Sequence, residues 1–220
     1  MNKTYNLIVF DWEGTIAEDA LGQVIQTIAE EAKRMHVNEF DKSLARQYIG
    51  LGMSSAIKLL FPQLYLYQQE QLSAAVQASY TKSLAEIMLV EGAKDSLLRL
   101  HAAGYKLAIA TNKGQASLQR ALQSTELEAY FSVTRSASQA PPKPCPQMLE
   151  EIMDEIGVPS DRTLMIGDSL SDIQMASAIG VAAVGVDFYQ TQREELLAEG
   201  AVEVFDNYQQ VNTYLHVSGG

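Results

Sequence analysis

The sequence is poor in cysteine and histidine. Among 220 residues there is one cysteine, Cys145, and three histidines. A single cysteine excludes an intrachain disulfide, so a reducing compartment is expected and we predict a cytoplasmic protein. The histidines have no metal-site spacing on their helical patterns, and surface positions are expected for them. They are His36, His101 and His216.

Long apolar runs and clusters of positive charge are also missing. No run approaches the roughly 20 apolar residues needed to cross a bilayer, and the first residues lack the apolar segment of a signal peptide. We therefore expect no membrane association. With 16 Lys and Arg against 27 Asp and Glu, the net charge is −11. This charge argues against a nucleic-acid partner, because binding that backbone requires clustered Lys and Arg.

What the chain does contain is an alternation of strand-like and helical segments. Helical patterns lie between the later strand-like runs, which predicts right-handed crossovers and a mostly parallel sheet. The predicted strands are Asn6–Phe10, Lys106–Thr111, Phe131–Thr134, Thr163–Gly167 and Val181–Val186. The predicted helices among them are Lys94–Ala103, Gln115–Ser124, Pro146–Ile156 and Ser171–Ile179.

One long segment breaks this alternation. Residues 16–88 carry helical periodicity throughout and have no strand-like run. The predicted helices are Leu21–Met35, Asp41–Tyr48, Ser54–Phe61 and Gln68–Met88. The chain is long enough for one large domain with a small insertion. We therefore predict an α/β core from residues 1–15 and 89–220, with residues 16–88 as an all-helical insertion.

The first of four polar clusters directly follows the apolar run Leu7-Ile8-Val9-Phe10. It places Asp11 and Glu13 at the carboxyl end of a buried strand, where open α/β sheets bind ligands. A carboxylate there can attack phosphorus or carbon, or bind a hard cation. Gly14 allows a sharp turn, so that backbone N–H groups can point at an anion.

The second and third clusters supply hydroxyl, amide and ammonium groups. Thr111 and Asn112 close a strand and open a helix, which indicates either a helix cap or a phosphate site. Lys143 lies between two prolines. A solvated loop lysine is the simpler interpretation, but prolines on both sides restrict the backbone and favour a positioned side chain.

The fourth cluster contains Asp168 at a strand end and Asp172 one helical turn later on the same side. Helix capping and a favourable interaction with the helix dipole would explain either aspartate. They would not explain why both accompany Asp11. All four clusters follow strands, so their side chains are expected at one edge of the sheet.

In this order, the four clusters resemble the motifs of the haloacid dehalogenase-like (HAD) hydrolase superfamily. The chain is most similar to the branch with a helical cap after the first motif, which includes phosphoglycolate phosphatases. The resemblance covers essentially the whole chain, including the cap stretches Ile49–Met53 and Leu59–Pro62. It implies a doubly wound, Rossmann-like, mostly parallel sheet with an inserted helical cap. The motifs identify the superfamily well but the substrate poorly.

The resemblance also implies catalytic and metal-binding roles. Asp11 would be the nucleophile that forms an aspartyl-phosphate, and Glu13 would occupy the acid/base position. Mg²⁺ would be held by Asp11, the backbone carbonyl of Glu13 and Asp168, with Asp172 as a further or water-mediated ligand. The cation would offset the repulsion between a carboxylate and a phosphate.

The remaining implied roles concern the substrate. Thr111 and Lys143 would bind the phosphoryl oxygens, Asn112 would orient its loop, and Gly14 would contribute to the anion site. The implied partner is a small phosphorylated metabolite, and the protein is expected as a monomer or homodimer. The cap would set specificity, with the Gly50–Ser54 turn as the expected contributor, although ordinary helix packing explains that turn equally well.

Position 13 departs from the family pattern, since phosphatases of this family normally have Asp there. Glu is one methylene longer, and a misplacement of about 1 Å can lower the rate on the order of a hundredfold. We therefore expect phosphatase chemistry that is slow on generic substrates.

Three alternatives to a phosphatase stay open. A non-catalytic or regulatory binding module could have kept the fold after the acid/base residue changed. Phe10-Asp11-Trp12 also resembles phosphonoacetaldehyde hydrolases. Those enzymes usually have Ala at the position of Glu13 and use a cap lysine, for which Lys33, Lys42 and Lys58 offer no diagnostic context. A phosphomutase needs the same acid/base residue and is not distinguished from a phosphatase.

Overall fold

The protein was analysed as a computed structural model that describes residues 4–37, 40–49, 53–83 and 87–217. It divides into two compact units, Met1–Ala17 with Leu89–Gly220, and Glu18–Met88. Ala17 forms isolated β-bridges with Glu13 and Leu89, both within the first unit. The chain therefore leaves the first unit after Ala17 and re-enters it at Leu89.

The first unit contains a parallel sheet of six strands within the described residues. The spatial order is β3-β2-β1-β4-β5-β6, and all neighbouring pairs are parallel. This arrangement confirms the predicted α/β class with its mostly parallel sheet. The strands are β1 (Leu7–Phe10), β2 (Lys106–Thr111), β3 (Val133–Ser136), β4 (Thr163–Gly167), β5 (Ala182–Val186) and β6 (Glu203–Phe205).

Helices connect the strands and also make up the second unit. The second unit contains α1 (Ala20–Arg34), α2 (Lys42–Tyr48), α3 (Met53–Leu60) and α4 (Leu66–Ser83). The first unit contains α5 (Ala93–Ala102), α6 (Gln115–Thr125), α7 (Gln147–Ile156), α8 (Leu170–Ser177), α9 (Arg193–Glu199) and α10 (Tyr208–Tyr214). None of the helices in the described part of the chain combines the length and apolarity that a membrane crossing requires.

The central strand β1 decides where a site can form. Val9 pairs with Ala108 of β2 on one side and with Met165 of β4 on the other. The chain moves outward from β1 in both directions, so the strand order reverses there. Crevices at such reversals lie beyond the carboxyl ends of the strands and are the usual ligand sites of open α/β sheets. Loops after β1, β2 and β4 meet at this edge.

The sheet is apolar because both of its faces are covered. All four residues of β1 and all five of β4 are buried. Since side chains alternate between faces, Leu7 and Val9 share one face with the buried residues of α7, α8 and α9. The core on that face includes Ala108, Ala110, Met165 and Ala183 from the sheet, and Met148, Leu149, Ile152, Ile173, Met175 and Leu196 from the helices.

The second unit has its own small core. Its buried residues come from three helices and the segment after α3, and they are Ile28, Ala32, Ile57, Phe61, Leu72 and Val76. Two helices begin at aspartates whose side chains accept hydrogen bonds from the first turn. Asp19 accepts from Gly22 N at 2.6 Å and Asp41 accepts from Ser43 N at 2.9 Å. These caps satisfy N–H groups that have no partner inside a helix.

Several boundaries differ from the sequence prediction. The helix predicted at Gln68–Met88 is Leu66–Ser83, and residues 87 and 88 are not helical. The strand predicted at Phe131–Thr134 lies two residues later, because residues 128–130 form a 3₁₀ turn first. Strand β6 was not predicted, since three residues are too few to show an alternating pattern. Residues 50–52 of the predicted cap turn lie outside the described residues.

Replacing Ile8 tests the central strand. Ile8 is completely buried, so Ile8→Ala should lower the free energy of unfolding by about 2–5 kcal/mol through lost burial and a residual cavity. Urea denaturation followed by circular dichroism measures this change. Val202→Ala, at a side chain that is 54% exposed, is the control and should change stability by less than about 0.5 kcal/mol. Equal losses in both variants would contradict the burial of Ile8 in the core.

Candidate active site

The loop after β1 presents Asp11 at the reversal in strand order. The Asp11 N–H donates to the Ile166 carbonyl at 2.9 Å, which extends the β1–β4 ladder. The N–H groups of Ile16 and Ala17 both donate to the Trp12 carbonyl at 2.9 Å, closing a tight loop. The Asp11 side chain is therefore held at a defined place by backbone bonds on both sides of it.

Three carboxylates converge beyond the strand ends. Asp11, Asp168 and Asp172 each offer an oxygen, and these oxygens lie within 4.8 Å of one another. Asp168 follows β4, and Asp172 lies in the first turn of α8. The structure thus brings together three of the acidic residues that the sequence singled out, although 157 residues separate Asp11 from Asp168.

Asp172 is oriented by its own helix start. Its Oδ2 accepts hydrogen bonds from Ser169 Oγ at 2.6 Å and from Ser169 N at 3.1 Å, and the second of these bonds is part of a capping box. Its Oδ1 accepts from the Lys143 ammonium at 2.7 Å. A Cβ at Gly167 would lie 2.3 Å from Asp172 Cγ, so only glycine fits there. Capping and cluster formation are therefore compatible roles for this aspartate.

Lys143 is buried and bridges two of the carboxylates. Its Nζ lies 2.7 Å from Asp11 Oδ1 and 2.7 Å from Asp172 Oδ1. The side chain of Asn112 supports it, because Asn112 Oδ1 accepts a hydrogen bond from the Lys143 N–H at 2.8 Å. The interpretation of Lys143 as a solvated loop lysine is wrong, since the residue is only 6% exposed.

Thr111 and Asn112 do not act as the cap of α6. The N-cap position belongs to Gly114, which has no side chain to accept a hydrogen bond. Thr111 is buried at the end of β2, and its Oγ1 accepts from the Lys113 N–H at 3.2 Å. The helix-cap interpretation of these residues is therefore wrong, and their side chains stabilise the loop beside the carboxylates.

Glu13 lies outside the acidic cluster. Its side chain is 55% exposed, and its Oε1 lies 2.6 Å from Nζ of Lys113. The expected role of the Glu13 backbone carbonyl as a metal ligand stays a prediction. The side chain is paired with a cation from the neighbouring loop, which the sequence analysis did not anticipate.

Two supporting residues were missed by the sequence analysis. Thr15 Oγ1 donates to Asp168 Oδ1 at 3.3 Å, and the Thr15 carbonyl accepts from the Tyr208 hydroxyl at 2.8 Å. Tyr208 lies on α10, is buried, and stacks on Phe188 with 5.5 Å between ring centroids. Thr15 had a signal, because it directly follows Gly14 in the first cluster. Tyr208 had none, because nothing local distinguishes it from other tyrosines.

Two of the clustered carboxylates, Asp11 and Asp168, have a strongly raised pKa. Burial, followed by repulsion from Asp172, raises the pKa of Asp11 to about 6, although Lys143 partly opposes the shift. Burial, followed by the charges of Asp11 and Asp172, raises the pKa of Asp168 to about 8. For Lys143, burial lowers the pKa, but the attraction of Asp11 and Asp172 outweighs it and the net direction is upward.

These residues fit a divalent cation. Asp11 Oδ1 is buried, and the Lys143 ammonium lies 2.7 Å from it. Three carboxylates face one ammonium, so the cluster carries excess negative charge when ionised. Carboxylate oxygens are the preferred ligands of hard cations such as Mg²⁺ and Ca²⁺. A bound cation would neutralise this charge.

The fold and site define a hydrolase class that the comparison with known families identifies. The profile described as haloacid dehalogenase-like hydrolase matches residues 8–186. The chain belongs to the haloacid dehalogenase-like hydrolase family, which confirms the resemblance found in the sequence.

Individual relatives span nearly the whole chain. The "Probable phosphatase IndB" of Dickeya dadantii is 29% identical over 93% of this chain and 91% of its own length. The phosphoglycolate phosphatase of Rhodospirillum rubrum is 28% identical over 94% and 90%. A crystal structure of "a predicted phosphoglycolate phosphatase" from Haemophilus somnus 129pt superposes with a TM-score of 0.63 at 23% identity, covering 96% and 98%. That structure supports the fold.

Metal-free protein should become less stable as the pH rises. An unfolded aspartate titrates near pH 4, whereas the folded pKa of Asp168 is about 8. Between these values the folded state binds more protons, so stability is highest below about pH 4 for this group and falls toward about pH 8. Urea unfolding in EDTA at several pH values measures the slope. Asp168→Asn should flatten it, and an unchanged slope in that variant would contradict the assignment.

Gly14→Ala should abolish cation binding. A Cβ at Gly14 would lie 2.1 Å from Asp168 Oδ2, and the residue has φ of +77°. Gly157→Ala is a matched control, because Gly157 has φ of +72° but nothing within 4 Å of its Cβ position. Both variants should lose about 1–2 kcal/mol of stability from the left-handed backbone. Only Gly14→Ala should lose Mg²⁺ binding in isothermal titration calorimetry; equal Mg²⁺ affinity in both would exclude the steric argument.

Proposed function

We propose that the protein is a Mg²⁺-dependent phosphatase that hydrolyses small phosphomonoesters through an aspartyl-phosphate. The observation that carries this proposal is the bridging of Asp11 and Asp172 by the buried Lys143 ammonium, next to the carboxylate of Asp168. Such an arrangement places a nucleophile, a positive charge and a cation site within a few ångströms. Family membership and relatives that are named phosphatases support it further.

Asp11 is the proposed nucleophile. Its backbone is fixed by the hydrogen bond to Ile166, so its carboxylate needs little reorganisation before attack. In the first step an Asp11 oxygen bonds to phosphorus while the bond to the leaving oxygen breaks. Lys143 and a bound cation favour the ionised form of Asp11 that the attack requires. In the second step, water attacks the phosphorus and releases Asp11.

Asp11, Asp168 and Asp172, together with the carbonyl of Glu13, are the proposed Mg²⁺ ligands. When bound, Mg²⁺ supplies charge neutralisation between the Asp11 carboxylate and the phosphoryl oxygens. Ser169 keeps Asp172 oriented and Thr15 donates to Asp168, so two of these ligands have fixed positions. Fixed ligands suit Mg²⁺, which requires near-octahedral geometry.

The phosphoryl group would be bound by residues at the carboxyl end of β2 and after β3. We assign Thr111, the last residue of β2, and Lys143, from the segment between β3 and α7, to the phosphoryl oxygens. We propose no donor role for Gly14, because its N–H already donates to the Ala17 carbonyl at 2.8 Å. Asn112 holds the Lys143 backbone, so its contribution is indirect. Lys143 would therefore have two roles, because its ammonium contacts Asp11 and would also bind a phosphoryl oxygen.

Glu13 is the proposed acid/base residue. It would give a proton to the departing alcohol oxygen and then remove one from the attacking water. Its exposed carboxylate can reach solvent, which a group that exchanges protons requires.

The proposed substrates are short phosphorylated acids, sugars or alcohols, because the named relatives include phosphoglycolate phosphatases. Residues 1–15 and 89–220 would form the catalytic core and residues 16–88 the specificity cap. The proposed location is the cytoplasm. No nucleic-acid partner is proposed.

The position of Glu13 outside the acidic cluster favours one alternative, a phosphate-binding protein without turnover. That alternative predicts tight binding of Mg²⁺ and inorganic phosphate, no hydrolysis, and no gain from Glu13→Asp. A phosphatase predicts turnover that Glu13→Asp either maintains or increases on generic substrates.

Phosphate release from p-nitrophenyl phosphate and 2-phosphoglycolate tests the proposal directly. The wild type should release phosphate with Mg²⁺, and both EDTA and Asp11→Asn should reduce the rate by at least about 10³-fold, because they remove the cation or the nucleophile. Acid-quenched protein should carry hydroxylamine-sensitive phosphate.

The control is Asp95→Asn, at an aspartate in the first turn of α5, which should retain full activity. Well-folded wild-type protein that releases no phosphate from either compound or from a panel of phosphorylated metabolites would refute the proposed function.

A further inference from the structure

Glu13 and Lys113 form an ion pair between two loops of the site. Lys113 Nζ lies 2.6 Å from Glu13 Oε1 and donates a hydrogen bond to it. Glu13 follows β1 and Lys113 follows β2, and these strands are neighbours in the sheet, with Phe10 opposite Ile109. The pair therefore joins the loop that carries Asp11 to the loop that carries Thr111.

This pair contributes little to folding. The Glu13 side chain is 55% exposed and the Lys113 side chain is 19% exposed. Ion pairs with that much access to solvent are weak, because water screens the charges and two long side chains lose freedom. Its consequence lies instead in where it keeps the Glu13 carboxylate.

Lys113 is a well-placed anchor for that carboxylate. Its N–H donates to Thr111 Oγ1 at 3.2 Å, so its backbone is tied to the end of β2. The next residue, Gly114, is the N-cap of α6. Within the described residues, Lys113 is also the side chain that pairs with Glu13. Without it, the three side-chain torsions of a half-exposed glutamate would sample many rotamers.

We propose that Lys113 is a positioning residue for Glu13. It confines the longer carboxylate beside the β2 loop, near the leaving group, and so offsets the additional methylene that Glu has relative to Asp. The proposal rests on the proposed function, in which Glu13 protonates the leaving group. Neither residue needs to touch the transferring phosphoryl group for this effect.

Leaving-group dependence distinguishes positioning from other roles. The alkoxide released from 2-phosphoglycolate needs a proton as it departs, whereas p-nitrophenolate leaves without one. Lys113→Met should therefore lower kcat/KM for 2-phosphoglycolate about tenfold to a hundredfold. For p-nitrophenyl phosphate, kcat/KM should stay within about twofold. Lys113→Arg should recover most of the loss, because it restores a cation that can pair with Glu13.

Two further variants make the test specific. Lys94→Met removes another partly exposed lysine that pairs with a glutamate, Glu126, at 3.6 Å, and it should leave both substrates unaffected. In a Glu13→Gln background, Lys113→Met should cause no further loss, since residues that act through one another are not additive. Thermal unfolding of each variant confirms that it is folded.

Three results would overturn the assignment while leaving the proposed function intact. If the wild type is active and Lys113→Met has the same kcat/KM for 2-phosphoglycolate, the ion pair has no role in catalysis. Equal losses with both substrates and a raised KM would show that Lys113 binds substrate directly. Additive losses in the Glu13→Gln background would show that the two residues act independently. Failure of the wild type itself on both compounds would instead refute the proposed function, and this assignment with it.

Discussion

The structure depends on the balance between three neighbouring carboxylates and one buried ammonium. Burial, followed by the repulsion among Asp11, Asp168 and Asp172, raises the pKa of Asp11 and of Asp168. Lys143 compensates part of that charge by contacting two of them at 2.7 Å. The remaining negative charge can be neutralised by a cation or by protons. A cation that bound there would stabilise the folded state, which would link folding and acidity to the proposed function.

The surrounding backbone serves to keep this cluster intact. Glycines at positions 14 and 167 leave room for Asp168 and Asp172, where a Cβ would collide. Asn112 and Ser169 hold the backbone of Lys143 and the carboxylate of Asp172. These supports come from different strand ends, so the cluster exists only when the parallel sheet is formed. The residues of the proposed site are therefore positioned by the same strands that form the core.

Glu13 differs from Asp11, Asp168 and Asp172 because its side chain lies outside the cluster that they form with Lys143. Its carboxylate is exposed and its partner, Lys113, belongs to a neighbouring loop. The acid/base role proposed for Glu13 would benefit from access to solvent, but such a group still needs a defined position. The ion pair with Lys113 gives the Glu13 carboxylate a defined position without burying it. Family membership accounts for the fold, whereas the pairing of Glu13 with Lys113 is seen only in the structure.

The sequence alone determined the α/β class, the helical segment after the first strand and the residues around which a site could form, because strands, helix stops and polar motifs leave local patterns. Only the tertiary structure showed that Lys143 is buried between Asp11 and Asp172. It also showed that Gly114, not Thr111 or Asn112, is the N-cap of α6. The contact of Tyr208 with the loop after β1 was likewise visible only in the structure. The short strand β6 and the Glu13–Lys113 ion pair were not predicted either. Contacts between residues a hundred or more positions apart depend on strand order and register, which no local pattern encodes.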